Sequence, residues 1–361
     1  MGFINKLQEK FQNLISTFTN RDKFVKALFN NAILIVLLAI VVFVGIRNPN
    51  YLSPQNLITL SVNAAPRFII ALGVSGCLIT RGTDLSAGRM VGMAGCISAS
   101  LCQRLDFAGR LHAWLPDMGN HEVYWVIGVI LFTIICCCLV GLISGSIVAF
   151  LKVPPFIATL GMQQIIYSFN MIYTKSQPIG ALRSSFLTLA KGITIPWIDL
   201  GKGRFMSIPY MFILMILIGI IFWFLYNKTR HGKYMYAIGG NEVAAEVSGI
   251  NTKIMLLKIY CLAGGMYAIG GMLQAAKAGA ASLSLGQGYE LEAIAACTIG
   301  GVSTTGGVGK VSGILTGVLV FELLKSALLF LGVDSNYNFM VQGLVILVAV
   351  AFDIRKYIAK K

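Results

Sequence analysis

Ten apolar runs separated by polar connections dominate this sequence of 361 residues. The chain is 57% hydrophobic and only 12% charged, with a mean hydropathy of +0.78, whereas about a quarter of the residues in soluble domains are charged. Because a helix of about 20 apolar residues crosses a bilayer, the pattern predicts an all-α polytopic membrane protein with about ten transmembrane helices. The predicted spans are 32–46, 57–80, 86–101, 124–151, 154–173, 211–226, 255–276, 291–301, 311–331 and 339–352.

The distribution of basic residues predicts the orientation of these spans. The net charge is +15, from 29 Lys and Arg against 14 Asp and Glu. Nucleic acid can bind a chain with such an excess, but these charges lie between apolar runs, so we expect contacts with lipid headgroups and no nucleic-acid partner. With both termini in the cytoplasm, 18 Lys and Arg fall on the inside and 9 on the outside, and Arg67 and Lys325 lie within spans. This arrangement agrees with the positive-inside rule.

The domain organisation follows from the same pattern. Residues 1–30 are polar and basic and carry apolar side chains on one helical face, which is typical of a cytoplasmic amphipathic helix on the membrane surface. Residues 31–354 form the predicted transmembrane domain. Residues 355–361 form a basic cytoplasmic tail.

The polar connection 227–258 is predicted to contain a short helix on the cytoplasmic side. Asn241 is a good N-cap, Glu242 and Glu246 place negative charge on the first turns, and Gly249 can end the helix in the left-handed conformation. One face of this helix is small and apolar and consists of Val243, Ala244 and Val247. Such a face suits docking into a groove of another protein, although a capped helix that merely joins two spans has the same pattern.

The sequence offers no constellation for catalysis or for a cofactor. Residues 304–311, TTGGVGKV, lack the first Gly and the final Ser or Thr of a phosphate-binding loop. Three histidines and eight cysteines without a CxxC pair predict neither a metal site nor a disulfide framework. We therefore expect no enzyme activity, no bound metal and no cofactor on this chain, and a separate polypeptide would have to hydrolyse ATP.

Polar residues within spans are candidates for a translocation path, because they are costly in a bilayer. The candidates are Asn63, Arg67, Asp84 and Glu292. Asp84 is equally suited to capping the helix that begins near Ser86, and Glu292 to balancing a helix dipole. Glu322 and Lys325, at i and i+3, form a predicted structural ion pair.

Two Gly-rich connections resemble each other within the chain. RGTDLSAG at 81–88 and GGVSTTGGVG at 300–309 each join two short apolar runs and reach the predicted cytoplasmic side. They indicate a possible two-fold repeat around a central path, as in many transporters. Chance similarity between Gly-rich segments is the alternative.

Four blocks resemble a known family: RGTDLSAGR at 81–89, KVPPFIATLG at 152–161, NKTRHGKYMYAIGGNEVAAEVSGIN at 227–251 and YELEAIAACTIGGVSTTGGVG at 289–309. They resemble the permease subunits of bacterial ABC importers for monosaccharides, of the ribose, xylose and galactose type. The galactose/methyl-galactoside branch is the most similar, and the resemblance covers nearly the whole chain. One position departs from that branch, because Arg81 stands where an uncharged residue is usual.

The resemblance implies the ABC importer permease fold, a homodimer in the bacterial inner membrane, a cytoplasmic ATPase and a periplasmic sugar-binding protein. It also implies that the connection 227–258 carries the helix that couples the permease to the ATPase. The coupling residues it identifies are Gly239, Gly240, Asn241, Glu242, Ala244, Ala245, Ser248 and Gly249. The implied function is ATP-driven import of a monosaccharide, and the alternative is an ion-coupled secondary sugar transporter.

Overall fold

The computed structural model describes residues 32–115, 121–199 and 205–334, together with isolated positions between 337 and 351. In this part of the chain, twelve α-helices accompany one two-stranded sheet. The helices are α1 (Ala32–Arg47), α2 (Pro54–Ile79), α3 (Ala87–Leu101), α4 (Glu122–Phe150), α5 (Pro155–Thr174), α6 (Ser184–Leu187), α7 (Tyr210–Lys228), α8 (Arg230–Gly240), α9 (Glu242–Val247), α10 (Thr252–Ala278), α11 (Tyr289–Ile299) and α12 (Val311–Phe330). Two 3₁₀ turns lie at Pro49–Leu52 and Thr188–Ala190.

Five of the described helices are long and apolar enough to cross a membrane, namely α2, α4, α7, α10 and α12. Nine of the ten predicted spans overlap a helix in the three described ranges, and the tenth, 339–352, is described only at isolated positions. A polytopic membrane protein is therefore confirmed, whereas the number of ten crossings stays a prediction. The predicted segments 1–30 and 355–361 also lie outside the described residues.

Helix α10 occupies the centre of the bundle and packs against α2, α3 and α4. Its buried face carries small residues, which let neighbouring backbones approach closely. At Gly264, a β-carbon would lie only 2.3 Å from the carbonyl oxygen of Cys137 in α4. The two large side chains of α10 that are fully enclosed are Tyr260 and Tyr267. Tyr267 packs against Gly73 of α2, and Tyr260 lies beside Gly82 in the α2–α3 connection and Gly145 of α4.

Helices α4 and α7 form the outer surface. Their exposed residues are almost all apolar and include Leu131, Ile135, Leu139, Ile143, Ile213, Leu217, Ile220 and Phe224. A surface of this composition suits contact with lipid hydrocarbon. The backbone needs no partner there, because a helix satisfies its own backbone hydrogen bonds. Residues Ala32–Arg47 of α1 pack on α12, and the Tyr51 hydroxyl that follows donates to the carbonyl of Leu323, 2.8 Å away.

The expectation of a purely helical chain is wrong at one place. Between the predicted spans 154–173 and 211–226, strand β1 (Gly192–Asp199) pairs antiparallel with β2 (Phe205–Pro209) in the register Ile193↔Ile208. The segment GITIPWID contains three consecutive β-branched residues, Ile193, Thr194 and Ile195, which favour an extended strand over a helix. The hairpin lies between the end of α5 and the start of α7 and forms no part of a span.

The polar connection after α7 is also more helical than predicted. Residues Arg230–Gly240 form α8, and the hydroxyl of Thr229 accepts a hydrogen bond from the N–H of Gly232 (3.4 Å), so Thr229 acts as N-cap. We refer to the side of the bundle that carries α8 and α9 as the α9 end. The side that carries the hairpin is the hairpin end.

The two Gly-rich connections that resemble each other both lie at the α9 end and touch. The N–H of Gly307, in the α11–α12 connection, donates to the carbonyl of Ile79, which ends α2 (2.8 Å). The contact places the two connections side by side. Their origin as a two-fold repeat stays a prediction.

Candidate functional site

Helix α9 forms where the cap signals predict it. The Asn241 side chain accepts a hydrogen bond from the N–H of Ala244 (3.1 Å), and Glu242 lies in the first turn. Gly249 adopts the left-handed conformation with φ of 85°. The N–H of Gly249 bonds the carbonyl of Glu246 and that of Ile250 bonds Ala245, which is the Schellman pattern of a helix end.

The exposed face of α9 is apolar. Val243 is 70% exposed and Val247 is 86% exposed, whereas Ala245 is only 4% exposed. Exposed valines on a six-residue helix leave apolar area that a partner protein can cover. The prediction that Ala245 contacts the partner protein needs correction. Its side chain is buried between α9 and the rest of the protein and does not lie on the exposed face.

The remaining predicted coupling residues divide into an exposed and a buried group. Those exposed at the α9 end, in whole or in part, are Gly240, Asn241, Glu242, Ala244, Ser248 and Gly249. Glu242 forms a surface ion pair with Lys152 in the α4–α5 connection (3.2 Å). Gly239 is buried, and a β-carbon there would lie 1.8 Å from the carbonyl oxygen of Ile79, so no larger residue fits without moving α2.

Three chain segments meet at this point, and we call the meeting place the glycine junction: residues 79–82, 239–240 and 306–309. Arg81 Nε donates to the carbonyl of Gly239 (2.7 Å), and its Nη2 donates to that of Gly240 (2.5 Å). The hydroxyl of Tyr236 donates to the carbonyl of Gly309 (2.8 Å). The junction joins the end of α8 directly to the α2–α3 and α11–α12 connections.

A second polar cluster lies within the bundle, toward the hairpin end. Arg67 Nε is 3.0 Å from Glu292 Oε2, and Arg67 Nη1 is 2.9 Å from Glu322 Oε1. Lys325 Nζ is 2.6 Å from Glu292 Oε2 and 3.8 Å from Glu322 Oε1. Lys277 donates to the side-chain oxygen of Asn63. The cluster therefore connects four helices, α2, α10, α11 and α12.

Side chains around this cluster limit its exposure. The guanidinium of Arg67 lies 5.2 Å from the centre of the Tyr289 ring, and the Tyr289 hydroxyl accepts a hydrogen bond from Gln274 (2.9 Å). Glu322 is only 3% exposed, while Arg67 retains 20%. Buried charges of this kind require partners, and here each carboxylate has two cations within 4 Å.

The predicted path residues are thus separated. Asn63, Arg67 and Glu292 belong to the ion cluster, and the predicted pair of Glu322 and Lys325 is part of it. The sequence did not indicate that Arg67 is the partner of both carboxylates, because 225 and 255 residues separate them from it. Lys277 and Tyr289 carried no signal in the sequence.

Asp84 lies elsewhere, in the buried connection between α2 and α3. Its Oδ1 accepts from the N–H of Ser86 (3.0 Å) and from the Ser86 hydroxyl (2.6 Å), and its Oδ2 accepts from the Tyr267 hydroxyl (3.0 Å). The bonds to Ser86 fix the turn that leads into α3. Ser86 itself occupies the N-cap position, without a side-chain cap hydrogen bond, so Asp84 stabilises the preceding turn and does not cap the helix. Asp84 is only 2% exposed, so its carboxylate binds other residues of the protein and is not free to bind a substrate.

Known proteins similar to the chain include transport permeases. A family model described as "Branched-chain amino acid transport system / permease component" matches residues 56–350. The galactose/methyl galactoside import permease protein of Escherichia coli (strain K12) is 42% identical over 348 residues, which cover 95% of this chain and 99% of that protein. The Haemophilus influenzae protein of the same name is 41% identical over 94% of this chain and 98% of its own length.

A ribose import permease protein is more distantly similar. That of Escherichia coli (strain K12) is 32% identical over 94% of this chain and 98% of its own length. No solved structure shows significant similarity to the chain. On the full-length similarity, the chain belongs to the family of transport-system permease components and is a transport subunit rather than an enzyme.

Proposed function

We propose that this chain is the membrane-spanning permease subunit of an ATP-driven importer for a monosaccharide of the galactose or methyl galactoside type. The observation that carries the proposal is the 42% identity over 95% of the chain to a galactose/methyl galactoside import permease. The exposed valines of α9 support it independently, because they offer a compact apolar surface for a partner. The comparisons give the ion-coupled alternative no support.

The proposed partners occupy opposite ends of the bundle. A cytoplasmic ATPase docks on α9, with ATP bound on that subunit. A periplasmic sugar-binding protein docks at the hairpin end. The subunit lies in the bacterial inner membrane with both termini in the cytoplasm, as the positive-inside rule favours.

Helix α5 supports a further element of the proposal, namely that two copies of the chain form a homodimer around the sugar path. Its 20 residues are long enough to cross a bilayer, yet α5 is not among the five sufficiently apolar spans. Gln164 and Ser168, one turn apart, are exposed on its surface. Exposed polar side chains within a span disfavour contact with lipid, so we place this surface at a water-filled path between the copies.

In the proposed cycle, sugar crosses without a covalent change. Closure of the ATPase dimer upon ATP binding displaces α9, and the bundle passes this displacement to the spans beside the path. The ion cluster of Arg67, Glu292, Glu322 and Lys325 holds α2, α11 and α12 together while this occurs. We therefore assign the ion cluster a structural role. The proposed sugar path lies along the exposed face of α5 and not at the path residues predicted from the sequence.

Reconstitution tests the proposal. The permease is purified with the ATPase and binding protein encoded by its host, and all three are placed in liposomes. ATP together with galactose or methyl galactoside should drive accumulation of the sugar, and omission of the ATPase should abolish it. Accumulation by the permease alone on a proton or sodium gradient would instead establish the ion-coupled transporter.

A further inference from the structure

Arg81 stands in a backbone conformation that normally selects glycine. The N–H of Gly82 bonds the carbonyl of Cys77, and the N–H of Arg81 bonds that of Leu78. These two bonds form a Schellman motif at the end of α2, in which the residue at position 81 must be left-handed. Arg81 has φ of 63°, whereas glycine adopts this region without a steric penalty.

The side chain of Arg81 compensates for this unfavourable conformation with two hydrogen bonds to α8. Its guanidinium reaches the carbonyls of Gly239 and Gly240, the last two residues before the N-cap of α9. Carbonyl groups at the end of a helix lack partners within that helix. A cationic donor is also favoured there by the helix dipole. Arg81 therefore binds the end of α8 directly beside α9.

The residues that follow Arg81 continue into the interior of the bundle. The carbonyl of Thr83 accepts from the hydroxyl of Thr159 in α5 (3.0 Å), and that hydroxyl in turn accepts from the N–H of Leu85 (3.1 Å). Asp84 bonds Tyr267 of α10, as described above. The hydrogen bonds of Arg81, Thr83, Asp84 and Leu85, linked by the backbone of residues 81–86, thus connect the end of α8 to the buried start of α3 and to α5.

We propose that Arg81 is the positioning residue that transmits movement of α9 to the α2–α3 connection and to α5. The inference rests on the proposed function, since it requires an ATPase on α9. A displacement of α9 shifts the carbonyls of Gly239 and Gly240. The guanidinium of Arg81, which is bonded to both, transmits this shift to residues 82–86. Gly306 and Gly307 pack closely against Arg81 and Gly240 from the other side, since a β-carbon on Gly306 would lie 2.4 Å from Arg81 Cγ. Arg81 is exposed, so its position depends on this packing and on the two hydrogen bonds of its guanidinium.

The test measures sugar transported per ATP hydrolysed in liposomes that contain permease, ATPase and binding protein. Arg81→Gly removes the guanidinium and suits the left-handed backbone, so the fold is retained. We expect ATPase association and sugar-stimulated hydrolysis to persist while the transported sugar per ATP falls at least about tenfold, because two hydrogen bonds from a charged donor are lost. Arg81→Lys, which retains a cationic donor, should recover part of the ratio.

Lys175→Gly is the matched control. Lys175 is also a basic residue in the left-handed conformation (φ of 52°) after the end of a helix, but it lies at the hairpin end. This variant should keep the wild-type ratio. A wild-type ratio in Arg81→Gly, or a proportional loss of hydrolysis and transport that reflects less assembled complex, would overturn the inference. Absence of ATP-driven uptake in the wild-type complex would instead refute the proposed function.

Discussion

Arg67 Nη1 lies 2.9 Å from Glu322 Oε1, and this ion pair joins α2 to α12 across the inside of the bundle. Glu322 is 3% exposed, so its charge depends on protein partners in place of water. The pair is one contact of a larger cluster, since Arg67 also binds Glu292.

Arg67→Met should destabilise the protein strongly. The change leaves two carboxylates beside the single cation of Lys325, and the loss of one partner from a buried pair costs roughly 3–5 kcal/mol. We expect a lower melting temperature in detergent and less folded protein in the membrane. The double variant Arg67→Met/Glu322→Gln removes both charges and should recover much of the loss. As a control, Arg104→Gln breaks a fully exposed pair with Asp106 and should leave melting unchanged.

Val247→Asp should prevent association of the ATPase without harming the fold. Val247 is 86% exposed, so the change removes little buried area and places a charge on the docking face. Co-purification of the ATPase from membranes provides the measurement. Lys191→Asp, an exposed change at the hairpin end, should bind the ATPase as the wild type does. Full association in Val247→Asp would exclude α9 as the docking face.

Ser168→Cys should react with a charged, membrane-impermeant thiol reagent. This exposed position belongs to the polar face of α5, and a charged reagent reaches a thiol only through water. Phe169→Cys, the next residue and about 100° further around the helix, is 46% exposed at the parent phenylalanine. It tests a different strip of the same helix and should be labelled far more slowly. The eight native cysteines are all buried or half-buried, so a cysteine-depleted background serves for comparison. Equal labelling at both positions would refute a path along α5.

Acidification should lower the stability of the protein at the α9 end, because His231 becomes protonated. Burial lowers the pKa of this imidazole in α8, and the positive charge of Lys258 lowers it further. The neutral form is therefore favoured in the folded protein. Its contribution to stability is complete above the unfolded-state pKa of about 6.5 and is lost as the pH falls through the lower folded-state value.

Melting temperatures of wild type and His231→Gln at pH 7.5 and near pH 5.5 measure this effect. The variant should lose less stability on acidification than the wild type. His121→Gln, which changes an exposed side chain at the hairpin end, should behave as the wild type. An unchanged acid response in His231→Gln would show that other groups cause it.

The local features of the fold followed from the sequence, because they depend on neighbouring residues. Apolar runs located the spans, and Asn241 and Gly249 marked the ends of α9 correctly. The orientation of α9 did not follow, since both Ala244 and Ala245 suit either face of a small helix. Only the packing of α9 against the rest of the protein shows that Ala245 is the buried one.

Long-range features were beyond reach for a physical reason. The spacing of Glu322 and Lys325 predicts their pairing, but no local pattern indicates which residue of α2 will meet them. The hairpin was missed because its polar and Gly-containing surroundings indicate a connection between spans, although Ile193, Thr194 and Ile195 are β-branched and favour a strand. The role of Arg81 depended on carbonyls that lie 158 and 159 positions further along the chain.

The glycine junction also has a consequence for biogenesis. The carbonyl of Ile79 receives its bond from Gly307, a residue that leaves the ribosome only after most of the chain has been translated. The early spans are therefore in the bilayer before the glycine junction can form. Nascent chains that stop before residue 307 should be preferred substrates of membrane quality-control proteases.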